Sequence, residues 1–556
     1  MSRRQIRLLL LLIWVVMVIA WSAAAPRPVH ADDLFALTQI TSLGRNVAAE
    51  LADVDGDGRS DLFVVVLTGI PPKEEREIRV YLQRDNKTFP ARSDYTRSLP
   101  RWSAVYDVAD VRADSPGEEL IVLRPDGVSI ISLAGPDAPI WELRVPGPTT
   151  AGIAADERGF EPFKLVYDDF AEEPWILVPQ LGQLSALSPT GEVRAQLAVP
   201  RRANYLILPP SGLISLETDF QIFVDVPKLM VGDIDGDGRA DIASATRHEI
   251  KVFLRKQDGS FAFEPDRKLA LEMVTPRDHI RGTGGVASEA KDIDGDGKLD
   301  LLISHVMGGF TDATTTIHVY MNHDGAWHLE KPDQSIISKG SLSSNALFDI
   351  VGNGKMELLQ LEFRFGLLEV IEIMLSREID IDVSLYRFQG EKGFEEKPWV
   401  KKKLELPFSF DTLRLKGFIP NARQDLNGDG YQDFVMSGGG KKIEVFIGGP
   451  KGPFHARPSK QTMPTAGVIH FDDWRRSRKV PRRTESAAAG RWQGARPRRS
   501  RRYGDGSATQ PAARRRARMQ GDFRASPLGV SRRRGAASCW AESRPRTRPG
   551  AGIPAS

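Results

Sequence analysis

The chain has a single cysteine, Cys539, so no disulfide within it can brace the fold. Its longest strictly apolar run, Leu8 to Trp21, is 14 residues, short of the roughly 20 that a bilayer span needs. No later segment is long and apolar enough to cross a membrane. Histidines are few and scattered, with no H-E-x-x-H pair, and neither a G-x-S-x-G elbow nor a P-loop occurs. These absences leave a disulfide scaffold, a multi-span membrane protein and the commoner hydrolase sites without support. Gly282-Thr-Gly284-Gly285 has the glycines of a phosphate loop, but it leads into an acidic loop instead of a helix and reads as a turn. His318, His323 and His328 cluster near one strand and turn, where solvated or packed imidazoles are commoner than ligands. Trp102, Trp141 and Trp327 could line a sugar-binding face, although core packing suits them better.

The charge that is present is unevenly placed. Residues 461–556 hold 23 Lys+Arg against 6 Asp+Glu, whereas residues 1–460 hold 53 against 67. The chain therefore reads as an acidic body followed by a basic tail. At the other end, Arg3, Arg4 and Arg7 precede the apolar run, and Val29-His30-Ala31 fits a small-x-small cleavage site. Residues 1–31 are thus expected to be a cleaved signal peptide, residues 32–460 the folded body and residues 461–556 the tail. The body is expected to be secreted or periplasmic, without a membrane span after cleavage and without a lipid anchor.

Within the body one pattern recurs. Its full copies are Asp53-Val-Asp55-Gly-Asp57-Gly-Arg59-Ser-Asp61, Asp233-Ile-Asp235-Gly-Asp237-Gly-Arg239-Ala-Asp241, Asp292-Ile-Asp294-Gly-Asp296-Gly-Lys298-Leu-Asp300 and Asp425-Leu-Asn427-Gly-Asp429-Gly-Tyr431-Gln-Asp433. Degenerate copies start at Asp110, Asp169 and Asp349, giving steps of 57, 59, 64, 59, 57 and 76 residues. Near-constant spacing is the mark of a repeat architecture. Each loop is followed by an apolar run such as Leu62–Leu67. Next comes an alternating segment such as Ile78–Leu82, Ile250–Leu254, Ile317–Met321 or Ile443–Ile447. Such segments, bounded by Gly/Asp turns, predict antiparallel strands. The expected fold is all-β: a seven-bladed β-propeller of four-stranded antiparallel blades, which leaves only short edges.

The acidic loops suit a hard cation. Calcium takes six to eight oxygen ligands. The side chains at the first, third, fifth and ninth positions offer Asp53, Asp55, Asp57 and Asp61; Asp233, Asp235, Asp237 and Asp241; Asp292, Asp294, Asp296 and Asp300; and Asp425, Asn427, Asp429 and Asp433. Arg59, Arg239, Lys298 and Tyr431 would add backbone carbonyls at the seventh position. Without a cation such closely placed carboxylates repel one another. An EF-hand would need an acid at the twelfth position, where this chain has Val64, Ser244, Ile303 and Met436. A plain Asp-Gly turn would explain one copy, but not four in register.

These loops and their flanks resemble the FG-GAP/VCBS repeats of integrin-α-like β-propellers over about residues 40–460. The resemblance implies that the loop lies between neighbouring strands of a blade and holds calcium through the positions just named. It carries to the four full loops only. At Asp349 the third position is Val351, and at Asp110 it is Arg112, whose positive charge should exclude calcium. The resemblance further implies a binding or adhesion scaffold, a monomer that takes a protein or carbohydrate ligand on one face. The alternative is a polysaccharide-active, lyase-type enzyme on the same fold. No nucleic-acid partner is expected for the body.

From about Arg475 the composition changes to Arg with Ala, Gly, Pro and Ser and loses apolar periodicity, so a disordered tail is expected. Val468-Ile-His-Phe-Asp472-Asp473-Trp474 looks like the entry to another acidic loop, broken off where Arg475 begins. The tail is read as the product of a frameshift near residue 475, a reading that resequencing of the locus would test.

Overall fold

The computed structural model describes residue 40 and residues 44–462, apart from short internal segments, chiefly 70–74, 153–159, 209–218, 276–283, 309–312, 410–413, 416–420 and 438–441. The expected signal peptide, and the tail from residue 463 onward, lie outside the described residues. The described body is a seven-bladed β-propeller of antiparallel sheets.

Blade one comprises β1 (Arg45–Ala52), β2 (Asp61–Thr68), β3 (Glu75–Tyr81) and β4 (Tyr95–Leu99); blade two comprises β5 (Val105–Ala109), β6 (Glu119–Arg124), β7 (Gly127–Ser132) and β8 (Ile140–Arg144). A short β9 (Glu161–Pro162) adds to blade two in parallel beside β5. Blade three is β10 (Val166–Tyr167), β11 (Trp175–Pro179), β12 (Leu184–Leu187) and β13 (Val193–Leu197). A separate hairpin, β14 (Arg202–Leu208) with β15 (Asp219–Asp225), leads to blade four, which is β16 (Lys228–Gly232), β17 (Asp241–Ala245), β18 (Glu249–Phe253) and β19 (Arg267–Ala270). Blade five is β20 (Gly284–Lys291), β21 (Asp300–Met307), β22 (Thr314–Tyr320) and β23 (Gln334–Lys339). Blade six is β24 (Ser341–Phe348), β25 (Glu357–Arg364), β26 (Glu378–Tyr386) and β27 (Val400–Ser409), extended by β28 (Arg414–Leu415); blade seven is β29 (Asn421–Gln424), β30 (Asp433–Ser437), β31 (Lys442–Phe446) and β32 (Ser459–Thr462).

The strands follow the hydrophobic pattern. The apolar run after each loop becomes the second strand, buried on both faces as in β2, β6 and β11; neighbouring blades cover both sides of β6 and β11. The third strands alternate, so that β18 buries Ile250, Val252 and Phe253. Fourth strands such as β4, β8 and β23 bury only some of their residues and turn the others to solvent.

The core is a succession of inter-blade layers. Phe63 and Ile78 of blade one pack with Leu120 and Ile131 of blade two. Ile121 and Ile130 meet Ile176 and Val178 of blade three. Trp175 and Leu177 meet Ile242 and Phe253 of blade four. Ala243 and Ile250 meet Leu301 and Ile303 of blade five. Leu302 and Ile317 meet Leu347 and Leu358 of blade six, whose Leu359 and Ile381 meet Phe434 and Met436 of blade seven. Each such side chain, fully buried, contributes roughly 1.5–3 kcal/mol, so no blade is stable without its neighbour.

Two sequence readings need adjustment. Gly284 and Gly285, read as part of a turn, begin β20. The boundary drawn at residue 460 falls inside β32, where Lys442 pairs with Thr462; composition marked the change in charge, not the end of strand pairing. Trp327 is buried in the layer between blades four and five and donates its Nε1–H to Leu299 O at 2.6 Å, as a packing residue does.

In an up-and-down blade the turn between first and second strands and the turn between third and fourth share one end of the sheet. The turn between second and third strands and the link to the next blade share the other. The acidic loops all fall at the first end. The hairpin β14–β15 and the described α-helix, α1 (Leu367–Ser376) between β25 and β26, fall at the second.

Candidate metal centre

All seven loops stand between the first and second strands of their blades, including the degenerate ones at Asp110, Asp169 and Asp349. The alternation within each full loop explains its posture. In three of the four the residue at the second position points inward: Val54, Ile234 and Ile293 are buried between blades, whereas Leu426 of the fourth loop is exposed. The acids on either side of those three therefore face outward together. In the loops of blades one, four and five the glycines at the fourth and sixth positions take positive φ, 77° and 85° at Gly56 and Gly58, which the tight wrap requires.

The first-position carboxylate is the hub. Asp53 Oδ2 accepts Gly58 N–H at 2.9 Å; Asp233 accepts Gly236 N–H at 2.7 Å and Gly238 N–H at 2.8 Å; Asp292 accepts Gly295 N–H at 2.7 Å and Gly297 N–H at 3.0 Å. Asp425 accepts Asp429 N–H at 3.0 Å and Gly430 N–H at 2.7 Å. Third-position oxygens accept the fifth-position N–H, as when Asp57 N–H donates to Asp55 Oδ1 at 3.2 Å. Fifth-position oxygens accept the seventh-position N–H, from Arg59, Arg239, Lys298 and Tyr431, at 2.8 to 2.9 Å. The side chains of Arg59, Arg239 and Lys298 also ion-pair with Asp57, Asp237 and Asp296.

The ninth position plays a part that sequence spacing does not reveal. Asp61, Asp241, Asp300 and Asp433 are buried, and both oxygens of each accept backbone N–H bonds. One bond comes from the second position of the same loop: Val54 at 3.2 Å, Ile234 at 3.0 Å, Ile293 at 2.8 Å and Leu426 at 2.6 Å. The other comes from the second residue past the third strand: Gln83 at 2.8 Å, Arg255 at 2.7 Å, Asn322 at 2.8 Å and Gly448 at 2.6 Å. Burial pushes the carboxyls of Asp61 and Asp241 up to about 6 and that of Asp300 up to about 7, against the lowering effect of these bonds. A cation nearby would favour the ionised form.

Three sets of carboxylates converge with one oxygen of each within 4.8 Å of the others: Asp53, Asp55 and Asp57; Asp233, Asp235 and Asp241; and Asp292, Asp294 and Asp300. In the first set Asp53 Oδ1 is buried and has no hydrogen-bond partner. A buried carboxylate oxygen left without a donor fits a missing cation, and an all-oxygen donor set suits calcium, magnesium or manganese better than zinc. Asp61, Asp237 and Asp296 stand outside these sets. The fourth full loop forms no three-acid set among the described residues; its Asn427 Nδ2 donates instead to Asp429 Oδ2 at 3.0 Å.

Blade two shows what replaces a cation. Arg112 donates from Nε and Nη2 to the two oxygens of Asp114, at 2.8 and 2.7 Å, and from Nη1 to Pro189 O of blade three at 3.0 Å. Its guanidinium lies 4.7 Å from the ring centroid of Trp141. In blade six Glu357 takes the ninth position, buried, with Oε2 accepting Ile350 N–H at 2.8 Å.

The bladed fold with an acidic loop at the same corner of each sheet defines a repeat propeller built around cation-type loops. Residues 233–303, which span the loops of blades four and five, match the family model of the FG-GAP-like repeat. A repeat of this family set within a seven-bladed propeller fits an FG-GAP-repeat architecture. No curated protein matches it in sequence. Among solved structures it is similar to an Agrocybe aegerita lectin described as recognising non-reducing terminal N-acetylglucosamine, at 14% identity and TM-score 0.32, covering 76% of this chain and 80% of that one. It is also similar to the V. cholerae biofilm matrix protein Bap1, at 10% identity and TM-score 0.21, covering 70% of this chain and 73% of that one. Overlaps this low carry no argument about what this chain does.

Proposed function

We propose that this protein is an exported, calcium-braced propeller that acts as a binding scaffold for a protein or glycan, and not as an enzyme. The observation that carries the calcium part is the convergence of Asp53, Asp55 and Asp57, where Asp53 Oδ1 is buried and lacks a donor, together with the three-carboxylate sets of blades four and five. In these loops Asp53, Asp55 and Asp57, Asp233, Asp235 and Asp241, and Asp292, Asp294 and Asp300 would hold the ion. It would supply the positive charge that lets adjacent carboxylates stay ionised, stabilising the folded form in proportion to occupancy.

The uneven ends of the blades support a scaffold reading. At the acidic-loop end lie the loops between first and second strands and the connections between third and fourth. At the opposite end the chain carries its additions, the hairpin β14–β15 and α1, and additions set on a rigid frame are where binding surfaces commonly sit. The test is a glycan array with the intact protein in calcium, paired with a turnover assay on every glycan retained. Retention with no cleavage is the expected result. Shortened or unsaturated products would overturn the scaffold reading in favour of the lyase alternative.

A further inference from the structure

Neighbouring acidic loops are tied to one another by a repeated backbone bond. In each case the N–H of the residue just before a blade's second strand donates to a carbonyl at the start of the previous blade's loop. Glu118 of blade two donates to Asp53 O at 2.7 Å, Leu299 of blade five to Asp233 O at 2.7 Å, Met356 of blade six to Ile293 O at 2.9 Å and Gln432 of blade seven to Ile350 O at 3.2 Å. Blade three has Pro174 at this place, which has no N–H to donate. Its loop is held from blade four by Arg255, whose Nη2 donates to Glu172 at 2.9 Å.

The tie between blades four and five is the most elaborate, and both of these loops gather three carboxylates. Asn322 is buried at their junction and touches both. Its backbone N–H donates to Asp300 Oδ1 of the blade-five set at 2.8 Å, while its Nδ2 donates to Ile234 O, inside the blade-four loop, at 2.8 Å and to Leu299 O at 3.1 Å. Leu299 in turn bonds Asp233 O and is packed against Gly232. Gly325 closes the corner: a Cβ there would stand 2.4 Å from Asp235 O. Three successive residues of the blade-four loop, Asp233, Ile234 and Asp235, thus present their carbonyls to blade five.

We propose that the blade-four and blade-five cation sites bind cooperatively, with Asn322 as the positioning residue that joins them. This rests on the calcium reading above. A cation in blade five draws in Asp292, Asp294 and Asp300 and fixes Asn322 and Leu299, which hold the carbonyls of the blade-four loop. The second cation then meets a loop whose ordering cost has already been met, and the coupling is reciprocal. The blade-one loop receives the same backbone bond from blade two, where Arg112 and not a metal occupies the loop, so it has no such metal-bearing neighbour on that side.

The test is calorimetric calcium titration of the full chain carrying Asp55→Ala and Asp429→Ala, which leaves blades four and five. Two tight, mutually dependent sites are expected. Adding Asp294→Ala, which removes the blade-five site, should weaken the remaining blade-four site about fivefold or more, the usual range of such coupling. Asn322→Ala in the two-site background should leave two sites that bind independently. Hydrogen exchange at the blade-four loop provides a second readout: calcium binding in blade five alone, with Asp235→Ala, should slow exchange at Gly236 and Gly238 only while Asn322 is present. If blade-four affinity is the same with and without Asp294, the coupling is wrong and the calcium reading stands. If the two-site background binds no calcium, the calcium reading itself fails.

Discussion

The ninth-position aspartates should be distinguishable from the other loop acids because they anchor the backbone whether or not a metal is bound. Asp300→Ala removes the acceptor of two buried N–H groups, Ile293 and Asn322, each bonded at 2.8 Å. Leaving a buried donor unpaired costs about 1–3 kcal/mol, so the pair should cost about 2–6 kcal/mol. Loss of the burial penalty on an ionised Asp300, whose pKa lies near 7, offsets part of this above neutral pH, so the lower half of the range is expected at pH 8. Asp296→Ala is the contrast. That side chain is part-exposed and bonds only within its own loop, to Lys298, so in a chelator its loss should stay within about 0.5 kcal/mol. Both variants should be melted in EDTA and again in millimolar calcium. Asp300→Ala should lower the Tm by several degrees in both; Asp296→Ala, outside the three-acid set of its loop, should change it little in either. Equal and small effects of the two in EDTA would refute the anchoring role.

Two further outcomes follow from the contacts between blades. Arg112→Ala should cost about 1 kcal/mol through the lost bond to Pro189 O and the lost stacking on Trp141, and the loss in Tm should be the same in EDTA and in calcium because this loop uses a guanidinium in place of a metal. Gly117→Ala should cost more than about 1 kcal/mol: φ is 73° and the new Cβ would stand 2.3 Å from Asp53 O, so a wild-type melting curve would contradict the close seating of blade two's loop on blade one's.

Much of the architecture was legible because each blade repeats one local pattern. The Asp-x-Asp spacing, the apolar run and the alternating strand located the first three strands of a typical blade, and the period located the degenerate loops at Asp110, Asp169 and Asp349. The insertions were visible only as irregular steps. The 64-residue step into Asp233 contains the hairpin β14–β15, and the 76-residue step into Asp425 contains α1. Neither step says what structure fills it. The candidate sites were legible as residue lists but not as geometry. Spacing puts Asp61 and Asp57 on one footing, whereas the fold buries Asp61 as a backbone anchor and leaves Asp57 to join Asp53 and Asp55. Nothing local marks Asn322 or Arg112 as a link between blades, because their partners Ile234 and Pro189 are distant in sequence and are brought close only by blade packing.

The most direct test of the account is the melting curve of the protein in EDTA, in calcium and in magnesium at matched ionic strength. Calcium should raise the Tm by several degrees in a saturable way, EDTA should reverse the rise and magnesium should reproduce little of it, because its strict octahedral geometry suits these flexible carboxylate loops less well. A Tm unchanged between EDTA and calcium would contradict a propeller braced by calcium.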